Sequence, residues 1–398
     1  MYKILSLDGG GSWALLQILT LKERYPDPEI TGWTILKEYD LVIANSGGSM
    51  VLAALASDWT LDKCLELFDK AEIRDSIFKK SSFWDRYFPT NFLAPLGFGP
   101  KYSTTGKYKG LSDIFKEIKS LKLHELVEKI GEGAPHMAVV TFDAINNKAK
   151  FFRSYEDEDE EFDEVNLVQA IHGSSNAPVN YFDFPARIKA NGTEKWYYLW
   201  DGALGGFNNP VAAGMVEALN LGVKKEHIAI VSLGTSNKII SERERKYFYK
   251  LYINVLKNRR WKLRMGAKFF MKTVVNQAKT ILYEPPDWAS YVAYVLRFDY
   301  DLKNTDENAT KFVRLSPLIH ALDEFDDATK ELVYQLHALD MDLTCDEDIQ
   351  LIKECFKAWK EGRILNQPIK TSFDKNETIK FKCGRRYFQE AFQDWRRL

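Results

Sequence analysis

Short apolar runs and helix-period segments alternate along the first 240 residues, with glycine, asparagine or proline punctuating many of the boundaries. The runs Tyr2-Lys-Ile-Leu-Ser-Leu7, 39–45, His136-Met-Ala-Val-Val-Thr-Phe142, Ala149-Lys-Phe-Phe-Arg-Ser-Tyr155, Lys195-Trp-Tyr-Tyr-Leu-Trp200 and Ile228-Ala-Ile-Val-Ser232 read as strands. Helices follow the first two, over Trp13–Leu21 and through Met50–Ala56, and Asn146-Asn147 marks a turn between the third and fourth. Strands alternating with helices predict an α/β fold. From about Asn237 the pattern becomes mostly helical, with polar breaks at Glu284-Pro-Pro286 and Asn304-Thr-Asp306. The segment from Asn376 onward reads as a strand or turn and a short helix.

Three strand ends carry chemistry. The second strand runs into Ala44-Asn45-Ser46-Gly47-Gly48, the G-x-S-x-G spacing of a nucleophile elbow with alanine at the first glycine. A tight strand-to-helix turn holds a serine hydroxyl clear of the backbone, and alanine is the smallest residue that keeps a Cβ there. A purely structural turn would use the same residues. The first strand runs into Asp8-Gly9-Gly10-Gly11-Ser12, whose N–H groups would face outward and bind an anion. That device serves a phosphate cradle or an oxyanion hole. Ser12, Trp13 and Ala14 after Gly11 break both nucleotide-binding spacings, which favours the oxyanion hole over the cradle. A glycine turn that merely lets helix and strand approach closely is the alternative. The strand at 195–200 delivers Asp201-Gly202-Ala203, a position where α/β enzymes place catalytic carboxylates and where a simple helix cap would look alike. The small-residue stretch Ala170–Phe182 can pass close under such a site.

A serine alcohol needs a base to become nucleophilic. Asp201 could act directly, with burial raising its pKa from ~3.9 towards neutrality. A histidine triad is the competing arrangement, with His172, His227, His320 and His337 as candidates and the last three in the order Ser, Asp, His.

At 398 residues and 45% hydrophobic the chain can form one large α/β domain or two smaller ones, and a net charge of −1 argues against a nucleic-acid polymer as partner. Cys64, Cys345, Cys355 and Cys383 lack metal-ligand spacing and read as free or buried thiols. No metal or other cofactor is expected. The first strand begins at once, without a leader, and no run approaches the ~18 apolar residues of a spanning helix; the expected location is the cytoplasm, with peripheral membrane contact left open. The stretch 78–109, aromatic and then rich in glycine and proline, reads as a loop that serves as a lid or lipid contact, or as an ordered insertion. Glu156–Glu161 reads as a solvated acidic loop. Residues 243–279 hold twelve cations against Glu244 alone, interleaved with Tyr247, Trp261, Phe269 and other aromatics. Anionic lipid surfaces attract such a segment by about 1 kcal/mol per cation; an anionic regulator, pairing with the acidic loop, or a solvated basic face are the other readings.

Taken together, Asp8-Gly-Gly-Gly11, the Ser46 elbow, Ser174-Ser-Asn-Ala-Pro178 with Tyr181-Phe182, Asp201-Gly-Ala with Asn208-Asn-Pro210, and Ser232-Leu-Gly-Thr235 resemble the patatin-like phospholipases in order and spacing, over residues 1–236. The resemblance implies a three-layer α/β/α core with a mainly parallel sheet over residues 1–236; residues 237–398 read from their own pattern as a mainly helical C-terminal region, either separate or packed as part of the same domain. The resemblance also implies hydrolysis of fatty acyl esters of phospholipids by a Ser46–Asp201 dyad, with Gly9, Gly10 and Gly11 as the oxyanion hole. Trp13, Ala14 and Ala44 depart from the family pattern. Some bacterial members resemble anti-phage effectors switched on by a nucleotide, which makes a cyclic nucleotide a candidate activator. A patatin-fold binding or scaffold protein and a soluble-ester hydrolase are the rival functions, and the oligomeric state is left open.

Overall fold

A computed structural model describes residues 1–80, 100–156, 164–178, 181–238, 286–299, 305–373 and 379–398. Most of the aromatic stretch, the acidic loop and the whole basic segment 243–279 lie outside the described residues.

The strands are β1 (Tyr2–Leu7), β2 (Leu41–Asn45), β3 (His136–Asp143), β4 (Lys148–Arg153), β5 (Ala186–Lys189), β6 (Trp196–Asp201), β7 (Ile228–Leu233), β8 (Asn237–Lys238), β9 (Phe312–Leu315), β10 (Leu318–Ile319), β11 (Lys370–Phe373) and β12 (Ile379–Cys383). The main sheet runs β5-β6-β3-β2-β1-β7-β9, with β4 paired to β3. Strands β3, β2, β1, β7 and β9 are parallel, while β4, β5 and β6 form antiparallel pairs at one side.

The strands are apolar on both faces because both faces are covered. Leu5, Leu7, Val42, Ala44 and Val231 join one core cluster, and their neighbours Ile4, Ile43 and Ile230 join another. The first is closed by helices that include Leu15–Arg24, Ser46–Ala56, Leu167–Ser174, Asp346–Lys360 and Phe388–Arg397. Helices Val211–Asn220 and Pro286–Phe298 close the second. The result is a three-layer α/β/α core with a mostly parallel mixed sheet.

Two register details position the site. Val140 of β3 pairs with Asn45, the last residue of β2, and Thr141 pairs with Asp201, the last residue of β6. Because β4 occupies the other edge of β3 at Thr141, β6 takes over the edge that β2 leaves. Asp201 therefore lands one register step from Asn45.

One expectation is extended and one is corrected. The C-terminal region contains helices, as the pattern predicts, but Phe312-Val-Arg-Leu315 adds a parallel strand to β7, so the sheet continues past residue 237. A four-residue run interrupted by arginine is too short to stand out by periodicity. Within the stretch read as a loop, Thr104–Ile114 is a helix capped by Ser103, whose hydroxyl accepts the Gly106 N–H at 3.2 Å. The four cysteines are free thiols, with Cys345 exposed and the other three buried.

Candidate active site

Ser46 sits where β2 becomes a helix. Asn45 before it is extended (φ −130°, ψ 147°), the helix begins at Ser46, and Ser46 has a φ of +48°. That left-handed conformation is disfavoured for a residue with a Cβ, and it turns the serine out of the strand line. The Ser46 N–H donates to Ser174 Oγ at 2.8 Å, and Ser174 Oγ donates to Asn45 Oδ1 at 3.2 Å. The Asn45 amide in turn donates to Asp201 Oδ1 at 3.1 Å. One buried chain of hydrogen bonds thus joins the Ser46 backbone, Ser174, Asn45 and the Asp201 carboxylate. Gly47 and Gly48 follow with no room for a side chain: a Cβ would stand 2.3 Å from the Gly11 carbonyl at Gly47 and 2.4 Å from the Leu7 carbonyl at Gly48.

Asp201 is buried at the end of β6. Its N–H is fixed by the Asn176 carbonyl at 3.0 Å, and its Oδ1 also accepts the Ala203 N–H at 2.9 Å. Burial pushes its carboxyl above the ordinary carboxylate range; hydrogen bonds from Ser46, Ala203 and Asn45, and the charge of Lys107, oppose that rise. No histidine is among these groups. His227 stands at the start of β7, the end of the parallel sheet opposite to Ser46. His172 is buried in the Leu167–Ser174 helix, and burial followed by the nearby Lys107 holds its pKa well below the usual value.

Lys107 escaped the sequence reading. It is fully buried, its Nζ donates to the His172 carbonyl at 2.9 Å and Ser175 Oγ at 3.3 Å, and it lies 4.2 Å from the Phe182 ring centroid. Burial lowers its pKa well below the usual lysine value, against the pull of Asp201 and Asp183. With Ser46, Tyr181, Phe182 and Met341 it lines one cleft.

The glycine turn lies beside the elbow. Gly9 donates its N–H to the Asn208 carbonyl at 2.7 Å, and its own carbonyl accepts from Thr235 Oγ1 at 2.6 Å. The N–H groups of Gly10 and Gly11 have no acceptor among the described residues. Gly11 has a φ of +56°, and a Cβ there would come 2.5 Å from the Met341 carbonyl. That carbonyl accepts the Ser12 N–H at 3.0 Å, and the Trp13 indole N–H donates to the Asp340 carbonyl at 3.0 Å. Lys101 holds the same strap through Asp342 at 2.9 Å and Asp340 at 3.3 Å, and the Tyr181 and Tyr102 hydroxyls donate to Asp340 and Asp342 respectively. Trp13 is thus a buried anchor for residues from the far end of the chain, a role no local pattern shows.

Among the described residues there is no cluster of side chains suited to a metal ion, and no helix is long and apolar enough to cross a membrane. No curated protein matches the sequence. Among solved structures, the crystal structure of VipD from Legionella pneumophila is similar at 13% identity and a TM-score of 0.37, over 88% of this chain and 66% of that one. The chain thus spans just under two thirds of that neighbour's length. The family model for patatin-like phospholipases matches residues 5–215, more than half the sequence, and the chain belongs to the patatin-like phospholipase family.

Proposed function

We propose that the protein is a serine acyl hydrolase that cleaves fatty acyl esters of phospholipids, with Ser46 as nucleophile and Asp201 as its base. The observation that carries this is the pairing of Ser46, in a left-handed elbow, with a buried Asp201 whose carboxyl interacts with the serine side chain. Asp201 takes the hydroxyl proton as Oγ attacks the ester carbonyl. The tetrahedral oxyanion is received by the open N–H groups of Gly10 and Gly11, aided by that of Gly47, the residue after Ser46; the Gly9 N–H, expected to share this role, is instead engaged by the Asn208 carbonyl at 2.7 Å. Collapse expels the alcohol, which takes its proton from Asp201, and leaves an acyl-serine. Asp201 then activates a water for hydrolysis of that ester. The raised carboxyl suits a base working near neutral pH, and a single oxyanion donor is worth about 3–4 kcal/mol.

The family supports a lipid substrate, and the apolar cleft walls Met50, Phe78, Phe182 and Met341 fit an acyl chain. Peripheral membrane contact and activation by a cyclic nucleotide rest on the basic, aromatic sequence 243–279. A role in anti-phage defence, a cytoplasmic location and an oligomeric form belong to the same proposal.

The test is fluorophosphonate labelling together with fatty-acid release from phospholipid vesicles, for wild type, Ser46→Ala and Asp201→Ala, with and without a panel of cyclic nucleotides. Labelling and release by wild type alone are expected, and release confined to one nucleotide would add the switch. A wild type that stays unlabelled and inactive in every arm leaves a patatin-fold binding protein. Equal rates on dispersed and aggregated ester would make it a soluble-ester hydrolase.

A further inference from the structure

Asp8 opens the glycine turn and is 1% exposed. A carboxylate so placed needs a counter-charge, and it comes from more than three hundred residues along the chain. Arg314 of β9, equally buried, donates from Nη2 to Asp8 Oδ2 at 2.6 Å. The same guanidinium donates to Ser232 Oγ at 2.7 Å and to Gln367 Oε1 at 3.1 Å. Asn366 locks this arrangement by donating to the Arg314 carbonyl at 2.9 Å and accepting the Ser316 N–H at 3.1 Å. Arg314, Ser316, Asn366 and Gln367 all lie beyond residue 215, outside the segment that marks the family.

The backbone of Asp8 leads directly into Gly9, Gly10 and Gly11. It is held on its other sides by neutral groups: its N–H donates to the Leu233 carbonyl at 3.0 Å, and its carbonyl accepts from the Gln17 amide at 2.9 Å. Among the described residues Arg314 is the one charged group that acts on the carboxyl, and it offsets part of a burial effect that still leaves the Asp8 pKa raised to about 6. Without Arg314 the carboxylate would stand unpaired in the interior at the base of the turn.

We propose that Arg314 is a positioning residue for the glycine turn, pairing with Asp8 so that Gly10 and Gly11 present their N–H groups to the oxyanion of the substrate. This rests on the hydrolase reading of Ser46.

The test compares full-length wild type, Arg314→Met, Arg314→Lys and the double variant Asp8→Asn with Arg314→Met on a water-soluble p-nitrophenyl ester. End-point fluorophosphonate labelling counts active sites, and kcat is expressed per labelled site. Arg314→Met is expected to lose at least ~10-fold in kcat at unchanged KM, because oxyanion donors act mainly in the transition state. Lysine keeps the charge without the planar fork and should fall between the two. Removing both charges should bring kcat back to within about threefold of wild type, since no buried charge is then left alone. Wild-type kcat per site in Arg314→Met, or a double variant no faster than Arg314→Met, overturns the proposal. A purely structural role would change the labelled fraction and the melting temperature, leaving kcat per site and KM unmoved. Should Arg314→Met yield no folded protein, Arg314→Lys decides: reduced kcat per site at constant KM supports the assignment, and unchanged kcat sinks it. Failure of wild type to label or hydrolyse at all would remove the hydrolase reading and this assignment with it, an outcome distinct from an active wild type indifferent to Arg314.

Discussion

At the scale of single residues, Ser46 carries a conformational cost that the proposed role as nucleophile would account for. Its φ of +48° is a backbone state that glycine adopts freely. Ser46→Ala and Ser46→Gly both delete the hydroxyl and differ by one methyl group, so their comparison isolates the strain. Ser46→Gly should be the more stable by about 1 kcal/mol in chemical denaturation, with both variants losing at least ~1,000-fold in hydrolysis; an alanine variant as stable as the glycine one would mean that the elbow is unstrained. The pH dependence follows from Asp201. In the proposed mechanism its carboxyl must be ionised to accept the proton, and burial raises its pKa, so kcat/KM should rise with pH along an acid limb lying above the ordinary ~3.9. Lys107 opposes that rise, so Lys107→Met should move the limb to higher pH; a limb that stays in place would show that Lys107 does not act on the base. Ser46 and Asp201 were legible in the sequence because each ends an apolar run beside small residues. Lys107 and Arg314 were not, because a lysine in a helix and an arginine in a short strand look solvent-directed until the packing around them is known.

At the scale of elements, the site is made by where strands stop. Strand β2 ends at Asn45 and β6 continues along the same edge of β3, which brings Asp201 to the elbow without any sequence proximity. Strands β1, β2, β3, β4, β6 and β7 were readable from apolar runs, with observed bounds that differ from the expected ones by a residue or two, whereas the short β5 and β9 were not. Their order was not, since nothing local specifies that an antiparallel strand will share an edge with a parallel one. The Leu167–Ser174 helix completes the arrangement by placing Ser174 Oγ against the Ser46 N–H. Ser174→Ala would leave that buried N–H without its acceptor, a loss of about 1–3 kcal/mol. Because Ser174 also orients Asn45, which touches Asp201, kcat on a soluble ester should fall together with the melting temperature. A variant that loses stability yet keeps its full kcat would separate the elbow's support from its chemistry. Gly48→Ala is expected to be harsher, with a Cβ meeting the Leu7 carbonyl at 2.4 Å; backbone must shift, and clashes of this kind cost about 1–3 kcal/mol or more.

At the scale of the whole molecule, the segment that marks the family and the unit that folds are different things. The matched residues 5–215 hold Ser46, Asp201 and the glycines, but β7 and β9 lie beyond them, and so do Arg314 beneath Asp8 and the Asp340–Asp342 strap beside Gly11. The C-terminal helices Asp346–Lys360 and Phe388–Arg397 join the same core cluster as β1 and β2, with Trp359 and Phe388 meeting edge to face at 4.7 Å between centroids. A chain ended at residue 236 would strip β9 from β7, uncover apolar side chains worth roughly 1.5–3 kcal/mol apiece when fully buried, and leave Asp8 as an unpaired interior carboxylate. Domain stabilities are only about 5–15 kcal/mol, so a handful of such losses is enough to unfold the core. The truncated chain should therefore fail to give a soluble product with a cooperative thermal transition by circular dichroism, and should not react with a fluorophosphonate. A cooperative melt near that of the full chain, with Ser46 still reactive, would show instead that the catalytic core stands alone and that the C-terminal strand and strap are additions to a finished domain.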